Sequence, residues 1–280
     1  MKAIINSLKR SHWFKAPIAF LTCLLFLVFP YCQKDELDQG SMTDMDGLSS
    51  SALSKTGNIS YGKVKDVEGN VYKTVKIGKQ WWMAENLAYL PTVSPSMEGA
   101  NPGSPTDPYY YVYGYEGNNV DAAKATDNYK TFGVLYNWPA AMTACPAGWH
   151  LPSDAEWTAL SDYLINNGYG YEGSGEDIAK SLAAQTYWDY SGTPGHPGND
   201  PTSNNSSGLS LLPGGSRGGN YDNQVPEFNC KGISGFYWSS TNGEGSTTDA
   251  WGRNLESWVS TFTRWSFGCV SGNSVRCVKN

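Results

Sequence analysis

From Ser153 onward the apolar positions of the chain step as a helix steps. Trp157, Leu160, Tyr163 and Leu164 form one stripe, which predicts an amphipathic helix with that stripe against a core. Ser153 stands where an N-cap belongs and Glu156 lies three residues later, so the two can form a capping box: hydroxyl to amide in one direction, carboxylate to amide in the other. Asp154 and Glu156 also suit the positive end of the helix dipole, and Gly168 is a stop signal. Before the cap, Pro146 and Pro152 keep Cys145–Leu151 in a loop or short strand. A helical step recurs briefly at Tyr136–Met142, with Pro139 in its first turn, and at Gly175–Ala184, where Ile178 and Leu182 are four apart.

Elsewhere the period is two. Val71, Val75 and Ile77 alternate, Gly78-Lys79 reads as a hairpin turn, and Trp81-Trp82-Met83 carries the return strand. Adjacent strand residues point to opposite faces, so at least one of Trp81 and Trp82 belongs to the core, although a Trp pair is also a sugar-stacking motif. Further strands are expected at Ser210–Leu212, Gly235–Ser239, Asp249–Leu255 and Val275–Val278, separated by Gly-rich turns. Gly214–Gly219 lacks the Lys-Ser/Thr and the helix of a phosphate loop and reads as a turn.

Residues 1–31 have the texture of a targeting segment. Lys2, Lys9, Arg10 and Lys15 precede an apolar run, Ala16–Pro30, that is short for a membrane span. The run ends at Cys32, so the whole resembles a bacterial lipoprotein signal with Cys32 as the lipidated first residue; the alternative is a conventional signal peptide with Cys32 as an ordinary thiol. Gln33-Lys34-Asp35-Glu36 resembles the signal that sends Bacteroidetes lipoproteins to the outer face of the outer membrane. Residues 32–60 read as the lipidated Cys and a flexible tether, whose polar part spans roughly 25–30 Å as a coil. A domain over residues 61–280 follows, large enough for a sizeable core.

Removing 1–31 takes four of the 20 basic residues and none of the 26 acidic ones, leaving a formal charge of about −10. That balance argues against nucleic acid and anionic lipid as partners, so membrane attachment rests on the acyl chains alone. Two polar segments carry an unusual load of aromatics. Tyr109–Tyr115 includes Tyr111, Tyr113 and Tyr115, and a later loop holds Tyr187, Trp188 and Tyr190. Tyr and Trp in polar insertions give rigid contact area with a polar tip, as in surfaces that bind carbohydrate or protein. The plainer alternative for the first run is an edge strand or a loop packed on the core.

Several blocks in one order carry a family resemblance: Thr74–Leu87, Leu135–Trp138, Cys145–Pro152, Leu211–Gly215, Phe236–Ser240 and Ser274–Lys279. Together they resemble the Fibrobacter succinogenes major paralogous domain, from about Tyr61 to the end. The resemblance implies a secreted or lipid-anchored bacterial domain. Leu151-Pro152-Ser153 with Glu156-Trp157, Pro213-Gly214-Gly215 and Arg276-Cys277 are in turn similar to the sulfatase-modifying, formylglycine-generating enzymes. That similarity implies an α+β fold of the C-type-lectin-like kind, with one or two helices packed on short twisted antiparallel strands and long loops. It also implies nested disulfides, Cys145–Cys277 outside and Cys230–Cys269 inside. The enzyme resemblance allows a rival, a redox or copper site at Cys269 and Cys277, but the closely spaced catalytic pair expected upstream is missing.

Other chemistry has little to draw on. His150 and His196 are the only histidines after Cys32, too few for a His-based zinc site, and His150 sits in the turn before the helix. Asp189, Asp200, Asp222, Glu227, Glu244 and Asp249 lie in loop-rich sequence without marking a carboxylate pair. Asp222–Glu227 offers oxygens to calcium but lacks the signatures of calcium-dependent lectins, so no catalytic residue, metal or cofactor is assigned. The expectation is a non-catalytic, surface-exposed binding or adhesion lipoprotein for a glycan or protein ligand. An enzyme of formylglycine-generating type and a structural envelope protein are the alternatives.

Overall fold

The computed structural model describes residues 59–99, 106–218 and 225–280. The chain opens with β1 (Tyr61–Lys65), β2 (Val71–Ile77) and β3 (Gln80–Met83), an antiparallel meander whose second turn holds Gly78 at φ 60°. Strand alternation divides the meander's side chains between two interiors. Tyr72 and Met83 enter one cluster; Val75, Ile77 and Trp82 enter the other. Val71 shares the face of Val75 but is 57% exposed, because that half of the face borders an open cleft.

The chain then forms β4 (Tyr110–Tyr111), the short helices α1 (Val120–Ala125) and α2 (Asp127–Phe132), β5 (Leu135–Tyr136), α3 (Trp138–Ala144), β6 (Trp149–His150) and α4 (Asp154–Asn166). The capping box of α4 is complete: the Glu156 amide donates to Ser153 Oγ at 3.2 Å and the Ser153 amide to Glu156 Oε2 at 2.8 Å. Trp157, Leu160 and Leu164 are buried, whereas Tyr163, expected on the same stripe, lies at the rim against Gly78. The helix ends at Asn166 with Asn167 as its C-cap, and Gly168 follows with φ 74°.

After α5 (Ala179–Leu182) come β7 (Gly214–Arg217), β8 (Phe228–Lys231), β9 (Ser234–Asn242), β10 (Asp249–Glu256), β11 (Thr263–Gly268) and β12 (Val278–Lys279). Two five-stranded sheets result, ordered β1-β2-β3-β12-β6 and β11-β10-β9-β7-β8, with β4 and β5 as a separate pair. The architecture is therefore α+β, mostly strands with a few helices. One cluster, under α3, collects Leu87, Val112, Tyr136, Ala141 and Trp238; the other, under α4, collects Trp82, Trp157, Leu211, Tyr237 and Val278. Indole donors stitch them together: Trp157 Nε1 donates to the Trp238 carbonyl at 3.1 Å, and Trp238 Nε1 to that of Tyr136 at 2.7 Å.

Several sequence expectations need correcting. Gly214–Arg217 is a fully buried strand, not a turn, because its glycines let β8 and β9 close on it. Leu211 makes one isolated bridge, to Ala183, in place of a strand at 210–212. The helix expected over 175–184 has only four residues. Val275 and Cys277 precede the last strand, and their carbonyls accept from Leu87 and Met83 at 3.0 and 2.9 Å.

The Cys145–Cys277 disulfide is formed and ties the end of α3 to the approach to β12. The second bridge is not Cys230–Cys269. Cys269 is a free, buried thiol just beyond β11, whereas Cys230 lies in β8, at the opposite edge of the same five-stranded sheet. With strands spaced about 4.8 Å apart, the two edges are roughly 19 Å apart, far beyond the Cα separation of a disulfide. Cys32 and the segments assigned to signal and tether up to residue 58 lie outside the described residues, as do Asp222–Gln224 of the calcium candidate. Among the described residues no helix is long and apolar enough to cross a membrane, and no three His, Cys, Asp or Glu residues gather as a metal site.

Candidate functional site

The two aromatic segments meet fates that their composition does not announce. Tyr111 is completely buried. Its hydroxyl donates to the Glu98 carbonyl at 2.7 Å, and the buried Arg217 guanidinium lies 4.6 Å over its ring. Burial pushes its pKa far up, so it is a pillar of the interior and not a ligand contact. Trp188 is buried as well, at 7% exposure. Tyr115 turns back to donate to the Asn119 carbonyl at 3.1 Å, and Tyr190, 86% exposed, lines neither of the two clefts beside α2. Tyr113 and Tyr187 remain, and the fold brings them to the same place.

That place is a cleft of about 370 Å³ walled by α2 on one side and by the 187–189 loop and the β8–β9 turn on the other. Thr126 caps α2 through the Tyr129 amide at 3.2 Å, which sets Asp127 and Asn128 on the first turn and Phe132 at its end. Phe132 meets Tyr187 edge-on, ring centres 5.4 Å apart. Tyr187 holds φ 72°, a left-handed conformation unusual for an aromatic residue, and still leaves 57% of its surface in water. The strain persists because its neighbours are pinned: Trp188 sits in the core, and the Asp189 amide donates to the Gly232 carbonyl at 2.7 Å. Gly232 itself needs to be glycine. With φ 86°, a Cβ there would lie 2.8 Å from Asp189 Oδ1.

Lys231 completes the wall. Its ammonium donates to Asn128 Oδ1 at 3.1 Å and lies 5.2 Å over the Tyr113 ring, while Asn128 Nδ2 donates to the Tyr113 carbonyl at 2.8 Å. Tyr113 therefore positions Lys231 from behind, backed by Phe228 at 5.3 Å. The cleft thus combines an exposed ring, a fixed carboxamide, an ammonium and the carboxylates of Asp127 and Asp189. It can stack on an apolar face and hydrogen-bond a polar edge. Sequence reading overlooked Asp127, Asn128, Phe132 and Lys231, although the cap signal at Thr126 was there to be read.

A wider cleft of about 570 Å³ adjoins the first across Thr131 and Thr186. Its floor is built on Arg276, which is fully buried and gives its hydrogen bonds to neutral oxygens. Nε donates to Asn86 Oδ1 at 2.7 Å, Nη1 to the Leu209 carbonyl at 2.7 Å and Nη2 to that of Ser210 at 2.6 Å. Burial pushes its pKa down to about 10. The 193–205 loop beside it hangs on another buried cation, Lys180, whose ammonium reaches the carbonyls of His196, Asn199 and Asp200. Burial lowers the pKa of Lys180, and burial together with the Lys180 charge lowers that of His196.

Cys269 and Cys277 do not offer thiol chemistry at either cleft. Cys277 is in the disulfide, so it cannot pair with Cys269, whose thiol burial pushes up to about 11. Neither the search of curated proteins nor that of solved structures finds a match to the chain. Residues 75–279 match the Fibrobacter succinogenes major domain, a span that takes in the whole second sheet, the narrower cleft and the disulfide and leaves out β1 and the start of β2. The chain belongs to the Fibrobacter succinogenes major domain family.

Proposed function

We propose that this protein is a surface-exposed, lipid-anchored binding or adhesion protein of the outer membrane whose ligand, a glycan in preference to a protein, seats on Tyr187. The observation that carries the reading is the strained, exposed Tyr187 ring beside Phe132, Asn128 and Asp189. An aromatic residue held in a left-handed conformation and presented to water costs about 1–3 kcal/mol, which its one edge-on contact with Phe132 offsets only in part. A planar ring with hydrogen-bonding groups at its edge matches a sugar, which has an apolar face and a hydroxyl rim. The finer fold assignment belongs to the same proposal: helices α3 and α4 on short antiparallel strands suit a C-type-lectin-like arrangement. The lipid anchor at Cys32, the outward orientation and independence from calcium are parts of it too. Thiol catalysis is disfavoured because the Cys269 thiol is buried and its pKa is raised, opposite to what a thiolate nucleophile needs.

A glycan-array screen of the purified protein, run with and without calcium, tests the reading. Saturable binding that disappears in Tyr187→Ala and persists in Tyr190→Ala supports it. Absence of any saturable ligand, or binding indifferent to Tyr187, overturns it.

A further inference from the structure

The two clefts are not separate. Thr131 lines both, and the chain passes from the wider one to the narrower one within two residues from Lys130 to Phe132 on α2 and within one from Thr186 to Tyr187 on the facing loop. Together they make one furrow that starts at the open end of the β2–β3 hairpin, crosses the end of α2 and finishes at the β8–β9 turn. We propose that this furrow takes a neutral oligosaccharide chain, stacked at Tyr187 and hydrogen-bonded beyond the Thr131–Thr186 saddle. The inference rests on the glycan reading above and adds length and charge to it.

Three features narrow the ligand. The charged groups along the furrow balance: Lys73, Lys130 and Lys231 against Glu85, Asp127 and Asp189, all exposed and spread over both halves. A polyanion or polycation would meet as much repulsion as attraction, whereas hydroxyl groups can accept from the ammonium groups and donate to the carboxylates. A peptide adding itself as a strand finds no free edge in this wall, since the Lys73 amide donates to Glu85 Oε2 at 2.5 Å and its carbonyl accepts from the Ala84 amide at 2.8 Å. Finally, the furrow's exposed aromatic ring stands at one end: in the wider half Tyr72 is buried and the half-buried Tyr129 gives its hydroxyl to the Ala88 carbonyl at 2.9 Å, while Gln185 and Thr186 offer polar groups. The ligand therefore has one stacked unit followed by units held by their rims.

The test uses homologous series of neutral oligosaccharides, from monosaccharide to hexasaccharide, of cellulose, xylan, mannan and chitin, with an oligogalacturonate series as the charged control, titrated calorimetrically into the full chain. For at least one neutral series, affinity is expected to rise about tenfold or more with chain length, the worth of one or two hydrogen bonds, and to change little with salt. Val71→Trp fills the wider half from an exposed strand position without removing a bond. It is expected to erase the gain from chain length while leaving the shortest binder unaffected, and its melting temperature verifies the fold. As a second readout, a long oligosaccharide shifts the amide resonances of Lys73 and Gln185, and a monosaccharide does not. Tyr187-dependent binding that is indifferent to chain length and to Val71→Trp overturns the furrow and leaves the binding reading intact. A salt-sensitive preference for oligogalacturonate overturns the neutral class. Loss of all Tyr187-dependent binding sinks both readings together.

Discussion

The Tyr109–Tyr115 and Tyr187–Tyr190 segments are close in composition and opposite in use. In the first, Tyr110 and Tyr111 form a strand paired with β5, and side chains close over both of its faces. In the second, no strand pairs with the chain, and the left-handed turn at Tyr187 splits its aromatics: Tyr187 and Tyr190 to water, Trp188 to the core. Aromatic content marks a segment as costly to expose. What the backbone is paired with decides whether it is exposed.

The largest test of this contrast is chemical. Removing the Cys145–Cys277 bridge by a double Cys→Ser change releases a loop of 132 residues and is expected to cost about 5 kcal/mol in thermal or denaturant unfolding. Cys277 belongs to the same cluster as Tyr110 and Val112, while Trp188 lies in the other. Hydrogen exchange should therefore quicken at Tyr110–Val112 and stay slow at Trp188–Asp189; equal loosening at both would break the comparison. Next in size, Tyr111→Ala is expected to cost about 3–5 kcal/mol, and Tyr111→Phe only about 1 kcal/mol for its single hydroxyl bond.

A smaller effect follows pH. The buried Cys269 thiol has its pKa raised from 9.0 to about 11, so the folded state favours the neutral thiol. That contribution is complete below pH 9 and is lost as pH rises through about 11. Cys269→Ser should flatten the alkaline decline in stability between those limits, and an unchanged decline would point to another group. The smallest effect on stability sharpens the comparison most. Tyr187→Gly relieves the left-handed strain while giving up the contact with Phe132, so stability should hold or rise by about 1 kcal/mol as ligand affinity falls at least tenfold. A large loss of stability would make Tyr187 a packing residue like Tyr111.

How much of this could be read beforehand divides along the same line. The α4 helix was legible to its caps because Ser153, Glu156 and Gly168 act on their own neighbours. The β2–β3 hairpin was legible from its alternation and turn. Gly214–Arg217 was not, since four residues with no periodicity become a strand only when β8 and β9 arrive on either side. The outer disulfide followed the family resemblance. The inner one failed because nesting of cysteines along the chain says nothing about which edge of a sheet each one reaches. At the candidate site, Tyr187 could be nominated from its setting, but Lys231 is a distant residue whose role depends on Asn128 and Tyr113, and no local pattern points to it.

The seat of β12 between β3 and β6 has a consequence in time. Val278 faces Trp82 across the sheet, and nearly everything else in the domain lies between them along the chain. Closing so long a loop has to precede the reward of pairing, which places folding among the slow, high-contact-order processes and leaves β3 with an open edge until late. A domain so arranged stays pliable for longest while it is being made, and locks only when β12 reaches β3 and β6.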